Sequence, residues 1–160
     1  LNRLALVTGA SSGIGAALAR VYASHGYDMA LTARRADRLH TLADELRLRH
    51  GVESLVIPAD LARPEAPAAV LAAVEANGRV VDALVNNAGY SLPGGYAATR
   101  WEDQQAFLQV LVTAVSELAH KVLPGMLERR FGRIVNVASL TGLMPGSLGH
   151  TLYGPAKSAR

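Results

Sequence analysis

The 160-residue chain contains no cysteine, which removes disulfide scaffolding, thiolate metal sites and cysteine nucleophiles at once. A reducing compartment is compatible with that absence, and a cytoplasmic location is expected. Charge is also scarce, at 18% of residues against 50% hydrophobic, a balance that excludes disorder and fits an α/β protein whose central strands are covered on both faces. The net charge of +3 is mild. Its arginines are scattered through Arg34, Arg35, Arg38, Arg47, Arg49, Arg129, Arg130 and Arg133, so no nucleic-acid surface is needed to explain them. Long apolar runs are missing too. The charge-free stretch Gln104 to Ser116 is too short for a membrane span, and Ile134 to Ala156 is broken by Gly, Pro, Asn, Ser and Thr. The opening residues run at once into a Gly-Ser turn, without the apolar core and cleavage site of a secretory signal.

What is present is an alternation of short apolar runs with amphipathic segments. Leu4 to Thr8 reads as a strand that stops at Gly9, and Ile14 to Ser24 has helical spacing through Ile14, Leu18 and Val21. Met29 to Thr32 is a second strand, and Ala36 to His50 a second helix stopped by Gly51. Leu55 to Ile57, then Glu65 to Ala76, give a third strand and a third helix closed by Asn77-Gly78. Ala83 to Val85 is a fourth strand, followed by a Gly and Pro loop from Ser91 to Arg100. Trp101 to Arg130 is a long helix, with Thr99 its expected cap and Pro124-Gly125 its expected kink or restart. Arg133 to Val137 is a fifth strand, Ser139 to His150 a loop, and Tyr153 opens a last helix. This order implies right-handed crossovers and a parallel sheet in one domain over residues 1–160. A fifth strand followed only by a helix start leads us to expect that the domain is incomplete at its C-terminal side.

The segment Thr8-Gly9-Ala10-Ser11-Ser12-Gly13-Ile14-Gly15 lies between the first strand and the first helix, where backbone amides at a helix start can hold a phosphate. Its glycines let a ligand approach the backbone. Their spacing differs from the usual dinucleotide fingerprint, and a ligand-free turn is the plain alternative. Gly9 to Gly13 also matches the nucleophile elbow of serine hydrolases, which would make Ser11 a nucleophile with His120 or His150 as candidate base. Nothing singles out either histidine, and the extra Gly15 fits phosphate cradling better.

Tyr153 and Lys157, four apart, fall on one helix face. An ammonium beside a phenol favours the phenolate, which equips a tyrosine for general acid or base work. Surface residues at the same spacing are the bland alternative.

Taken together, these motifs resemble the short-chain dehydrogenase/reductase family. Thr8 to Gly15 is similar to its TGxxxGxG turn, Asn86 to Gly89 to its NNAG segment, Ser139 to its active-site serine, and Tyr153 with Lys157 to its YxxxK pair. The resemblance implies a Rossmann-type doubly wound parallel sheet, a nicotinamide cofactor, and hydride exchange with a small carbonyl or alcohol. It also implies that Tyr153 moves a proton at the substrate oxygen, that Ser139 holds that oxygen, and that Lys157 tunes Tyr153 and binds the ribose. Cofactor contacts are then expected from Gly9, Ser11, Ser12, Gly13, Ile14 and Gly15, from Asp60 and Leu61, and from Asn87, Ala88 and Gly89. Tyr153 and Lys157 join them. After the second strand there is no acid but Arg34, with Arg35 or Arg38 as help, so NADP(H) is favoured over NAD(H). A homodimer or homotetramer is expected. One departure stands out: Leu111 occupies the position of the family's helix asparagine. That opens a second reading, an NADPH-binding regulatory or scaffold protein with weak or no turnover.

Overall fold

In the computed structural model, which describes residues 2–143 and 151–159, five strands form one parallel sheet. They are β1 (Leu4–Thr8), β2 (Asp28–Ala33), β3 (Ser54–Pro58), β4 (Ala83–Asn86) and β5 (Arg133–Asn136), in the spatial order β3-β2-β1-β4-β5. Helices α1 (Gly13–Ser24), α2 (Ala36–His50) and α3 (Ala66–Ala76) connect the first four strands. Between β4 and β5 run α4 (Trp101–Leu108), a π-helical turn (Gln109–Thr113) and α5 (Ala114–Glu128). After β5 come a 3-10 turn (Leu140–Leu143) and α6 (Tyr153–Ser158). The Rossmann-type doubly wound sheet is therefore present, and the expected strands and helices fall within a few residues of their places.

Strand alternation sorts the core into two layers. Ala5, Val7, Met29, Leu31 and Val85 pack against Ala16 and Ala19 of α1 and Leu39 and Leu46 of α2. On the other face Leu4, Leu6, Ala30 and Leu84 meet Val70 and Val74 of α3 and Leu118 and Val122 of α5. Because the central strands are wrapped on both sides, they read as unbroken apolar runs. Strand β5 is different, with all four residues exposed.

The N-terminal rim of the sheet is stitched by two aspartates. Asp28 accepts hydrogen bonds from the Asn2 amide (3.2 Å) and the Glu53 N–H (3.0 Å), and pairs with Arg79 at 3.0 Å. Burial pushes its carboxyl up, but those three donors outweigh burial and leave it below the ordinary carboxylate value. Asp82 accepts from the Leu4 N–H at 2.9 Å, while its backbone joins Leu4 and Arg133.

Two expectations for the long helix are corrected. The helix neither ends nor restarts at Pro124, which lies inside α5 on the solvent side, where water can satisfy the carbonyl that proline leaves without a donor. The interruption is instead the π-helical turn, closed by the Ala114 N–H on the Gln109 carbonyl. Nor does Thr99 cap it: Arg100 is the cap residue, while the Thr99 hydroxyl donates to the Tyr96 carbonyl and receives the Gln104 amide. Helix α5 ends at Glu128 in a Schellman arrangement, with Phe131 N–H on Met126 O and Arg130 N–H on Leu127 O. Arg130 takes the left-handed position at φ 52° that glycine usually fills. The stretch Trp101–Glu128 is long and apolar enough to cross a membrane. Its apolar side is accounted for here by the sheet: Phe107, Leu111, Ala114, Leu118 and Val122 are buried against it or against neighbouring loops.

Candidate active site

The crossovers from β1 through β3 run one way across the sheet, and those from β4 to β5 run the other. The crevice where they diverge, at the carboxyl ends of β1 and β4, is where such sheets take ligands. Thr8 and Asn87 build its floor. The Thr8 hydroxyl donates to the Val85 carbonyl (3.2 Å) and accepts from the Asn87 and Ala88 N–H groups (2.9 and 3.0 Å). In return the Asn87 amide donates to the Thr8 and Gly9 carbonyls at 3.0 and 3.3 Å. Asn87, expected to face the cofactor, thus spends its amide bracing the glycine turn.

That brace explains two glycines. A Cβ on Gly9 would lie 2.8 Å from the Asn87 amide nitrogen, and one on Gly15 would lie 2.4 Å from the Gly9 carbonyl oxygen and 2.5 Å from the same amide. Gly13 meets nothing within 4 Å, and glycine serves there because φ is 56°. The cap residue Ser12 makes no side-chain bond to the helix, so the first amides of α1 have no side-chain cap. Ile14, in the first turn of α1, is 61% exposed.

The hydroxyls of Ser11 and Ser12 both accept from the Arg35 guanidinium, at 3.0 and 2.8 Å. Arg34, the arginine singled out from sequence, lines the same cleft but makes neither contact. This cleft, of about 210 Å³, continues past Asp60, Leu61, Ala88, Gly89 and Tyr90. Asp60 does not cap α3, whose cap residue is Glu65; its carboxylate closes a local turn by accepting from the Ala62 N–H at 3.1 Å. Uncapped helix amides, two hydroxyls and two guanidinium groups are the donor set a phosphorylated nucleotide requires. Ser11 has an arginine as its side-chain partner, and no described histidine bonds to it. Among the described residues the hydrolase reading finds no base at Ser11; His150, the other candidate, lies outside them.

Across the crevice, Lys157 is 6% exposed and donates to the Val137 carbonyl at 2.9 Å. Its ammonium lies 5.7 Å from the centre of the Tyr153 ring, and a Cβ on Gly89 would come within 3.8 Å of it. The sequence pair is thereby brought to one place, beside the end of β4. Tyr153 leans on the fully buried Phe107, ring centres 6.4 Å apart. Ser139 follows β5, its hydroxyl donating to the Thr141 hydroxyl (3.2 Å) and accepting from the Thr141 N–H (3.3 Å).

Gly142 holds this half together and went unnoticed in the sequence. A Cβ there would lie 2.8 Å from the Lys157 carbonyl carbon and 2.9 Å from the Ser158 nitrogen, so only glycine lets the 3-10 turn seat against α6. Leu111 is fully buried among Phe107, Ala156, Ala88 and Tyr153. It offers packing where the family offers an amide.

The profile described as short chain dehydrogenase matches residues 3–160. Oxidoreductase UcpA of Salmonella typhimurium is 39% identical over 99% of this chain and 59% of its own length. The NADP-dependent 3-hydroxy acid dehydrogenase YdfG of Salmonella typhi is 35% identical over 97% of this chain and 61% of its own. Among solved structures, a short-chain dehydrogenase from Sphingobium yanoikuyae in complex with NADPH superposes with a TM-score of 0.90 at 38% identity, covering 98% of this chain and 60% of that one. L-sorbose reductase from Gluconobacter frateurii, complexed with NADPH and L-sorbose, gives 0.91 at 36% identity, covering 99% and 60%. The chain spans about 60% of the length of these relatives. With the profile matched over nearly every residue and the motifs meeting at one crevice, this chain belongs to the short-chain dehydrogenase family.

Proposed function

We propose that the protein is an NADP(H)-dependent oxidoreductase that interconverts a small carbonyl compound and its alcohol. The observation that carries this reading is the buried Lys157, anchored on Val137, set beside Tyr153 and close to Gly89, a lining residue of the cleft whose glycine turn carries Arg35. The nicotinamide, when bound, supplies or accepts the hydride. Gly9, Gly13, Ile14 and Gly15 admit its phosphates at the start of α1, and Ala88 and Gly89 line the passage toward Lys157. Arg34 and Arg35, with Ser11 and Ser12, favour the 2′-phosphate of NADP(H) over the bare ribose of NAD(H). NADP-dependent and NADPH-bound relatives support that preference.

Tyr153 gives its phenolic proton to the carbonyl oxygen during reduction and takes it back during oxidation. Ser139 donates a hydrogen bond to that oxygen once it turns from Thr141, stabilising the developing charge. Lys157, beside the Tyr153 ring, would bind the cofactor ribose. The surroundings of the site are largely apolar, with Leu92 and Leu152 near Tyr153, which fits a moderately apolar substrate. Exposed Trp101, Leu123 and Leu127 on α4 and α5 support pairing into a homodimer or homotetramer.

The test is NADPH oxidation by the complete protein over a panel of aldehydes and ketones. Tyr153→Phe should abolish turnover and keep NADPH binding; turnover at the wild-type rate in that variant would remove Tyr153 from its role. Leu111 favours a second reading, a cofactor-binding regulatory protein. That reading predicts tight NADPH binding with no oxidation of any panel member.

A further inference from the structure

Tyr90 has no part in the chemistry above, yet among the described residues it is the one aromatic side chain lining the cleft. It directly follows the Asn86 to Gly89 segment, so its backbone is placed by the Thr8 brace. Its ring is also fixed. It meets the ring of Phe107 edge-on, centres 5.4 Å apart at 89°, and Phe107 is fully buried. The outer part of the ring is open, the residue being 37% exposed. Burial raises the Tyr90 phenol above its ordinary value; Arg34 pulls it back while Asp60 and Asp103 add to the rise, so the ring is neutral at physiological pH. Arg34 and Asp60 line the same cleft. A held, neutral, half-open aromatic ring is a platform for a flat π-system.

Resting on the nucleotide reading, we propose that Tyr90 forms the aromatic wall against which the purine of the cofactor packs. The other lining groups on this side, Ala33, Leu61, Ala62 and Val110, are aliphatic. They enclose a base without stacking on it. Tyr90 thereby becomes a determinant of affinity for the adenine end, separate from the arginine contacts that select the 2′-phosphate.

Calorimetric titration of the full protein with 2′,5′-ADP and, separately, with nicotinamide mononucleotide tests the assignment. Tyr90→Leu should weaken 2′,5′-ADP about tenfold and leave the mononucleotide unchanged, while Tyr90→Phe stays within about twofold of wild type. A second readout does not depend on the leucine variant folding. In protein labelled with fluorotyrosine, the 19F resonance that disappears in Tyr90→Phe should shift on adding 2′,5′-ADP and stay still with the mononucleotide. Unchanged 2′,5′-ADP affinity in Tyr90→Leu, equal weakening of both ligands, or a stationary resonance overturns the wall. Those results leave the nucleotide reading intact. Wild-type protein that binds neither 2′,5′-ADP nor NADPH overturns both.

Discussion

The two sides of the crevice are built on different principles. The side at β1, β2 and β4 is welded: Thr8, Asn87, Gly9 and Gly15 interlock through backbone groups, and their strands are buried on both faces. On the side at β5 and α6, among the described residues, Lys157 on Val137 and Gly142 against α6 tie separate segments together, over Phe107, Leu111 and Ala156 packed beneath them. The lesson is that gripping a cofactor needs a rigid backbone surface, whereas proton transfer needs only a few side chains held at correct separations. Affinity and turnover should therefore be separable by mutation.

The largest effect should come from the side at β5 and α6. Tyr153→Phe is expected to lower kcat by about 10²- to 10⁴-fold while the Kd for NADPH, measured by fluorescence titration, stays within about threefold. A matching loss of binding would break the comparison. On the welded side, Arg35→Ala should weaken NADPH by roughly 10- to 100-fold, the range expected for losing charge-assisted hydrogen bonds to a phosphate. NADH affinity and kcat at saturation should hardly move.

Gly142→Ala probes the seam itself. Overpacking of this kind costs about 1–3 kcal/mol, and here it would push α6 away, so kcat should fall about tenfold with NADPH binding retained.

Two smaller predictions concern the opposite rim, which neither side uses. Asp28→Asn should cost about 2 kcal/mol of stability at neutral pH without changing NADPH affinity or kcat. Because the Asp28 carboxyl is held below its ordinary value when folded, its contribution is full above the unfolded pKa of about 3.9 and disappears as pH falls through the folded value. The Tm gap between wild type and Asp28→Asn should therefore close in acid. Arg130→Gly should raise stability by about 0.5–1 kcal/mol, since φ of 52° suits glycine, and thermal melts would show it.

The sheet was legible because buried parallel strands leave unbroken apolar runs between turn glycines, and β1 to β4 obey that rule. The crevice was legible where short motifs carry it, as at Gly9 to Gly15 and at Tyr153 with Lys157. Other features were hidden because their cause is tertiary. Nothing local tells Arg35 from Arg34; only the path of the chain after β2 turns Arg35 onto Ser11 and Ser12. Gly142 looked like a loop glycine until α6 was laid against it. The π-helical turn leaves no mark in an apolar run, while Pro124 advertised a break that the exposed side of α5 absorbs.

Gly15 faces a neighbour that no substitution can shrink, since its nearest obstacle is the main-chain oxygen of Gly9. Exchanging Asn87 for something smaller would clear only the second obstacle and would unfasten the floor beneath both. No compensating change elsewhere in the chain can restore what an alanine there would destroy, so that loop is fixed by its own main chain and by no side chain that could be traded.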